Sequence, residues 1–149
     1  MNIMKPLLIL MLCLFSGCAS SSTSSPKQTL VGSQWQLVSY VDASGEKQTP
    51  DNPEKYIMRL EENNRLSLTL NCNRGMGTWS AFNTRMNEGD FDVSPVAMTK
   101  AFCLPPSMDE LIARKLSGVS SYEFKMGELR LKLSDDEYIA WQRIKGTAK

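Results

Sequence analysis

The chain contains no histidine, and that absence removes much of enzyme chemistry. Without an imidazole there is no Ser-His-Asp or Cys-His nucleophile arrangement and no histidine to complete a zinc site. An excess of charge is missing too. Lys and Arg number 17 against 16 Asp and Glu, so no strong field draws nucleic acid or anionic lipid, and no nucleic-acid partner is expected. No Gly-rich phosphate loop stands between a strand and a helix. The carboxylates gather in turns, as at Glu61-Glu62 and Asp135-Asp136-Glu137, where solvated charge is their ordinary state. No enzyme activity, cofactor or metal is expected. The apolar run Leu7–Phe15 has nine residues, against the roughly 20 that span a bilayer.

What is there begins with an address. Lys5, the short apolar run and the small residues after it have the form of a secretory signal peptide over residues 1–17. Leu14-Phe15-Ser16-Gly17-Cys18 resembles the lipobox of bacterial lipoproteins. That resemblance implies cleavage before Cys18, a diacylglycerol on its thiol and an acyl chain on its amine; plain secretion with an incidental cysteine is the alternative. Several acyl chains at one terminus make a stable membrane anchor, at roughly 0.8 kcal/mol per buried methylene. Ala19 stands where aspartate would resemble an inner-membrane retention signal, so the outer membrane, facing the periplasm, is the expected location. Ala19–Gln28 is Ser-rich and has too little apolar surface to fold, so residues 18–28 read as a lipidated cysteine and a tether. Residues 29–149 then form one domain with one core. Removing the leader takes away Lys5 and no acidic residue, which leaves a formal balance of zero.

Of four cysteines, Cys13 leaves with the leader and Cys18 is lipidated. Cys72 and Cys103 remain, in a chain sent to an oxidising compartment, and a disulfide is the default. A reactive or metal-binding pair is the alternative.

Alternation at period two dominates the folded part. Trp35–Val41 reads as a strand with Trp35, Leu37 and Ser39 on one face and Gln36, Val38 and Tyr40 on the other. Tyr56–Leu60 reads as a second strand. Leu66, Leu68, Leu70 and Cys72 make a third, with one face buried and one wet. Gly77–Phe82 reads as a fourth, Asn83–Asp90 as a polar turn, and Phe91–Val93 and Val96–Thr99 as short strands interrupted by Pro95. Pro105-Pro106 and the S-x-x-E spacing of Ser107 and Glu110 signal a capped helix. Met108, Leu111, Ile112, Leu116 and Val119 form its apolar stripe, and Gly118 ends it. Tyr122, Phe124 and Met126 alternate before Gly127-Glu128, which reads as a two-residue hairpin turn. Leu129, Leu131 and Leu133 follow, then Ile139 and Trp141 on a last strand. The expected fold is mainly β (α+β): a small antiparallel, partly open β-barrel-like sheet with one inserted helix.

Asn73-Arg74-Gly75-Met76-Gly77 concentrates polar and permissive residues after Cys72. One reading is a candidate binding loop built on Asn73, Arg74, Gly75 and Gly77. The other is a tight structural connection of residues that tolerate positive φ. Arg74 either lies on the surface and bonds loop carbonyls or meets a carboxylate or phosphate head group.

The order of these motifs resembles a known family. Leu30-x-Gly32-x-x-Trp35-x-Leu37, Cys72-Asn73-Arg74 with Gly77, Thr99 with Cys103, and Glu110, Leu116, Val119, Tyr122, Leu129 and Leu131 resemble META domains, the group that includes HslJ-like heat-inducible bacterial lipoproteins. Asn71 replaces a usual glycine, and Gly75 stands where the pattern has an aromatic. The resemblance implies a small β-barrel-like fold, no established catalytic activity, and associations with heat shock, novobiocin tolerance, motility and secretion. Two roles follow. In the first, an envelope protein partner is bound at a strand edge or the helix, in stress, drug tolerance or assembly. In the second, a hydrophobic small molecule or lipid acyl chain sits in a sheet cleft lined by Trp79, Phe82, Phe102, Phe124 and Trp141.

Overall fold

The computed structural model of the chain describes residues 30–145. The expected signal peptide, the Cys18 lipidation site and the Ser-rich tether lie outside the described residues. Ten strands are described: β1 Ser33–Val41, β2 Lys47–Gln48, β3 Tyr56–Leu60, β4 Arg65–Leu70, β5 Asn73–Arg85, β6 Glu88–Val93, β7 Ala97–Met98, β8 Ser121–Lys125, β9 Glu128–Lys132 and β10 Tyr138–Arg143. Helix α1, Asp109–Leu116, enters between β7 and β8.

Each strand lies antiparallel to its neighbours, and β1 pairs with β10. The mainly β, antiparallel barrel with one inserted helix that the sequence suggests is what forms, and its sheet closes fully into eight strands where a partly open one is expected, with β2 and β7 as short extra strands. Closure removes the edges that a curled antiparallel sheet would otherwise expose. The inward positions are the period-two apolar residues: Leu66, Leu68 and Leu70 on β4, Leu129 and Leu131 on β9, and Ile139 and Trp141 on β10 are all buried. A chain of ring contacts, Trp35–Phe124–Tyr122–Phe91–Trp79, runs through this core with centroids about 6 Å apart.

Several boundaries differ from the sequence reading, each for a local reason. A bulge between Leu37 and Ser39 shifts the β1–β10 register and inverts the alternation, so Tyr40 joins the buried side instead of the opposite face. The expected turn Asn83–Asp90 shrinks to Met86-Asn87, because β5 runs on to Arg85. The β8–β9 hairpin turns at Met126-Gly127, not Gly127-Glu128. Lys125 pairs with Glu128, and both turn residues take positive φ, 54° and 82°, as a two-residue turn matched to strand twist requires.

The barrel ends are closed differently. At one end Leu30 is fully buried, the Gly32 N–H donates to Leu60 O at 2.7 Å, and Ser33 Oγ donates to Leu30 O while accepting from Trp35 Nε1. The other end, where β1 and β4 finish and β3, β5 and β10 begin, is crossed by α1. Met108 N–H donates to Tyr56 Oη at 3.0 Å, Asp109 reaches Asn73, and Lys115 reaches Glu137. Ile112 and Leu116 are buried in the same core as the strands.

Candidate functional site

Asn73–Gly77, expected as a loop, is the first half of β5. The turn before it is only Asn71-Cys72, with Asn71 at φ 56° and Leu70 paired to Asn73. Gly75 and Gly77 do not take positive φ, so the structural alternative of a tight φ-permissive connection fails for them as well. Close packing is the reason for Gly75. A Cβ there would meet Met98 Sδ at 2.2 Å and Val96 Cγ1 at 3.0 Å. Met98 thus fills the space beside the position where the META pattern carries an aromatic.

Asn73 is 3% exposed and uses all of its hydrogen-bonding capacity. Its amide donates to Ala101 O at 3.0 Å and to Asp109 Oδ2 at 2.8 Å. Its Oδ1 accepts from Thr99 Oγ1 at 2.8 Å and Ala101 N–H at 2.9 Å. Thr99 Oγ1 accepts in turn from Arg74 N–H at 2.9 Å. On the far side of Asp109, Ser107 Oγ donates to Oδ1 at 2.5 Å and accepts from Asn71 Nδ2 at 2.9 Å. Cys72 and Cys103 are bonded, S–S 2.03 Å, across a sequence separation of 31. Side-chain amide, carboxylate and disulfide therefore pin the crossover between β7 and α1 onto the start of β5.

Asp109 is the residue that sequence reasoning missed. The S-x-x-E spacing marks Ser107 as the cap of the helix, but α1 begins at Asp109, its cap position is Met108, and it carries no side-chain cap among the described residues. Ser107 is drawn instead to the Asp109 carboxylate. Burial pushes the Asp109 carboxyl up, yet the hydrogen bonds from Ser107 and Asn73 outweigh it and hold it below the ordinary value. A charged carboxylate so occupied is an anchor. The Arg74 side chain points outward and is exposed, and among the described residues its guanidinium bonds only the neighbouring Asn73 O, at 3.2 Å. Among the described residues, no group of three or more Cys, Asp or Glu side chains is placed to hold a metal.

Above the anchor lies a groove of about 600 Å³, walled by Met98–Phe102 on one side and by Glu110, Ala113 and Arg114 of α1 on the other, with Asn73 and Asp109 also lining it. Phe102 and Leu104 stand 85% and 80% exposed on the disulfide-tethered crossover. The residues proposed to line a sheet cleft are not brought together. Trp79 and Trp141 are core, Phe124 packs on Trp35, and Phe82 and Phe102 are outside.

The family model of the META domain matches residues 28–145. The chain belongs to the META-domain family. Two solved structures share the fold of this META domain. One is a protein from Burkholderia xenovorans, determined by NMR, with TM-score 0.65 and 18% identity over 80% of this chain and 86% of that one. The other is a DUF4847-family protein from Bacteroides vulgatus, with TM-score 0.57 and 12% identity over 79% of this chain and 96% of that one. None of the curated proteins matches it. The META motif residues Cys72, Asn73, Thr99 and Cys103 are the ones that meet in the pin.

Proposed function

We propose that this META domain is a lipoprotein anchored through Cys18 in the outer membrane, facing the periplasm. It works without catalysis, by binding another envelope protein at the groove between the crossover and α1, in envelope stress, drug tolerance or assembly. The observation that carries the reading is the pairing of a filled barrel with a braced, partly apolar groove. Trp35, Trp79, Trp141, Phe91 and Tyr122 fill the interior, whereas Phe102 and Leu104 are held out in solvent on a crossover fixed by a disulfide and by Asn73. Exposed apolar side chains beside a rigid cleft support a contact surface. The carrier reading has less support, because its lining is divided between core and surface.

The lipobox supports the anchor. Cys18→Ser is expected to abolish lipid labelling and release the protein to the soluble periplasm; unchanged membrane association overturns that part. For the surface, a photo-crosslinking residue at Phe102 should give a discrete adduct with one envelope protein in intact cells. The same residue at Met126, which is 89% exposed on the β8–β9 turn at the opposite barrel end, should give none. Matching patterns from the two positions, or no adduct at Phe102, would sink the assignment.

A further inference from the structure

We infer that the groove takes an extended peptide segment, alternately acidic and apolar, by strand addition to the open edge of β7. This rests on the partner-binding reading and names the chemistry of the partner. Among the described residues strand β7 pairs on one side only, Met98 opposite Gly75 and Ala97 opposite Met76. The next residues stay alongside β5: Thr99 N–H donates to Arg74 O at 2.9 Å and Ala101 N–H to Asn73 Oδ1 at 2.9 Å. In an extended chain successive residues turn their amides and carbonyls to opposite edges. Inward groups at Thr99 and Ala101 therefore turn those of Met98 and Lys100 outward. Neither the amide nor the carbonyl of Lys100 has a partner among the described residues.

That outward edge is one wall of the groove, and Glu110, Ala113 and Arg114 are the other. Unpaired backbone groups facing a cleft are satisfied by an added strand, which obtains affinity from main-chain bonds and selectivity from alternate side chains. A two-residue strand is a poor template by itself; the facing helix makes it a slot. Lys100 and Arg114 outnumber Glu110 at the rim, and the Asp109 charge is already engaged by Asn73 and Ser107. Met98, Ala101, Phe102 and Ala113 supply the apolar contacts. Carboxylates alternating with apolar side chains complement this surface, whereas a helix or an acyl chain leaves the edge amides unpaired.

The probe is an acetylated, amidated ten-residue peptide of alternating valine and glutamate, titrated into the isotope-labelled protein. Its binding should slow hydrogen exchange of the Met98 and Lys100 amides. Affinity should fall at least tenfold for the valine–lysine counterpart, and at least tenfold for the acidic peptide N-methylated on every amide, which blocks both edges. Lys100→Pro removes an outward donor that the fold does not use and should cause the same loss without moving the thermal midpoint; should it unfold, the N-methylated peptide on the native protein still decides. Equal binding of the N-methylated or the lysine peptide overturns strand addition, as does absence of binding. If Lys100→Pro still yields the Phe102 adduct in cells, partner binding stands and strand addition falls. If the native protein yields no adduct, the partner-binding reading itself fails.

Discussion

The two ends of α1 are held to the barrel by different physics. At its N-terminus the Asp109 carboxylate is buried and hydrogen-bonded to Asn73 and Ser107, beside the Cys72–Cys103 bond. At its C-terminus Lys115 Nζ lies 2.6 Å from Glu137 Oε1, with the Tyr40 hydroxyl on the same carboxylate oxygen. Lys115 keeps 30% of its side-chain surface and Glu137 17%, so solvent screens this second attachment. The groove lies at the first end. A surface that must present fixed backbone edges is braced by a covalent bond and saturated amides. The other end needs only a clamp.

Breaking the braced end should cost most. Replacing Cys72 and Cys103 together by alanine releases a loop closed across 31 residues, worth about 3–4 kcal/mol in the chain-entropy account. The urea midpoint should fall accordingly, and an unmoved midpoint would mean that the polar network alone holds the crossover. Asn73→Ala should follow at about 2–3 kcal/mol, because it strands the Asp109 carboxylate, the Thr99 hydroxyl and the Ala101 backbone groups at once. Asn73→Asp should not rescue it: a carboxylate has no amide donors for Ala101 O and Asp109. Equal stability of Asn73→Asp and the native protein would show that the network is not what matters there.

The strands with a plain alternation were legible in the sequence. Leu66, Leu68 and Leu70, then Leu129 and Leu131, report a one-sided sheet without further help, and a late apolar stripe at helical spacing marks α1. What was hidden depends on long-range contacts. Asn73–Gly77 looks like a loop because glycine and asparagine are loop residues by propensity; the packing of Met98 and Val96 against Gly75 explains why a glycine belongs in that strand. The bulge after Leu37 breaks no local rule and becomes visible only against β10. Asp109 was hidden for a similar reason, since an acid in a first helical turn already has a sufficient explanation in the helix dipole.

Acidification should loosen both ends, and the clamp offers the cleaner test. Hydrogen bonds from Lys115 and Tyr40 hold the Glu137 carboxyl below its ordinary 4.5. Asp109 is likewise held below 3.8, its burial outweighed by Ser107 and Asn73. A lowered folded pKa gives stability that is present above the unfolded value and lost as pH falls through the folded one. Stability should therefore hold through neutral pH and decline below the ordinary carboxylate values. Lys115 is raised above 10.5 by Glu137 and Tyr40, so its contribution is full below that value and lost as pH rises past it. Glu137→Gln should cost about 1 kcal/mol at neutral pH and remove part of the acid limb of the urea-midpoint profile. An unchanged acid limb would assign the whole decline to Asp109 and the other carboxylates.

Arg74→Ala should do least, and that small effect sharpens the contrast between the braced strand and its surface. Arg74 shares the strand with Asn73 and Gly75, but its side chain faces away from the pin; among the described residues the guanidinium has one hydrogen bond, to the adjacent Asn73 carbonyl, and it does not line the groove. Truncation should move stability by less than about 0.5 kcal/mol and leave the Phe102 photo-adduct intact, whereas Lys100→Glu, which reverses charge at the rim, should abolish it. The opposite result, adduct lost with Arg74→Ala and kept with Lys100→Glu, would move the contact surface off the groove and onto the outer face of β5. There Arg74 is followed two residues later by Met76, which is 62% exposed.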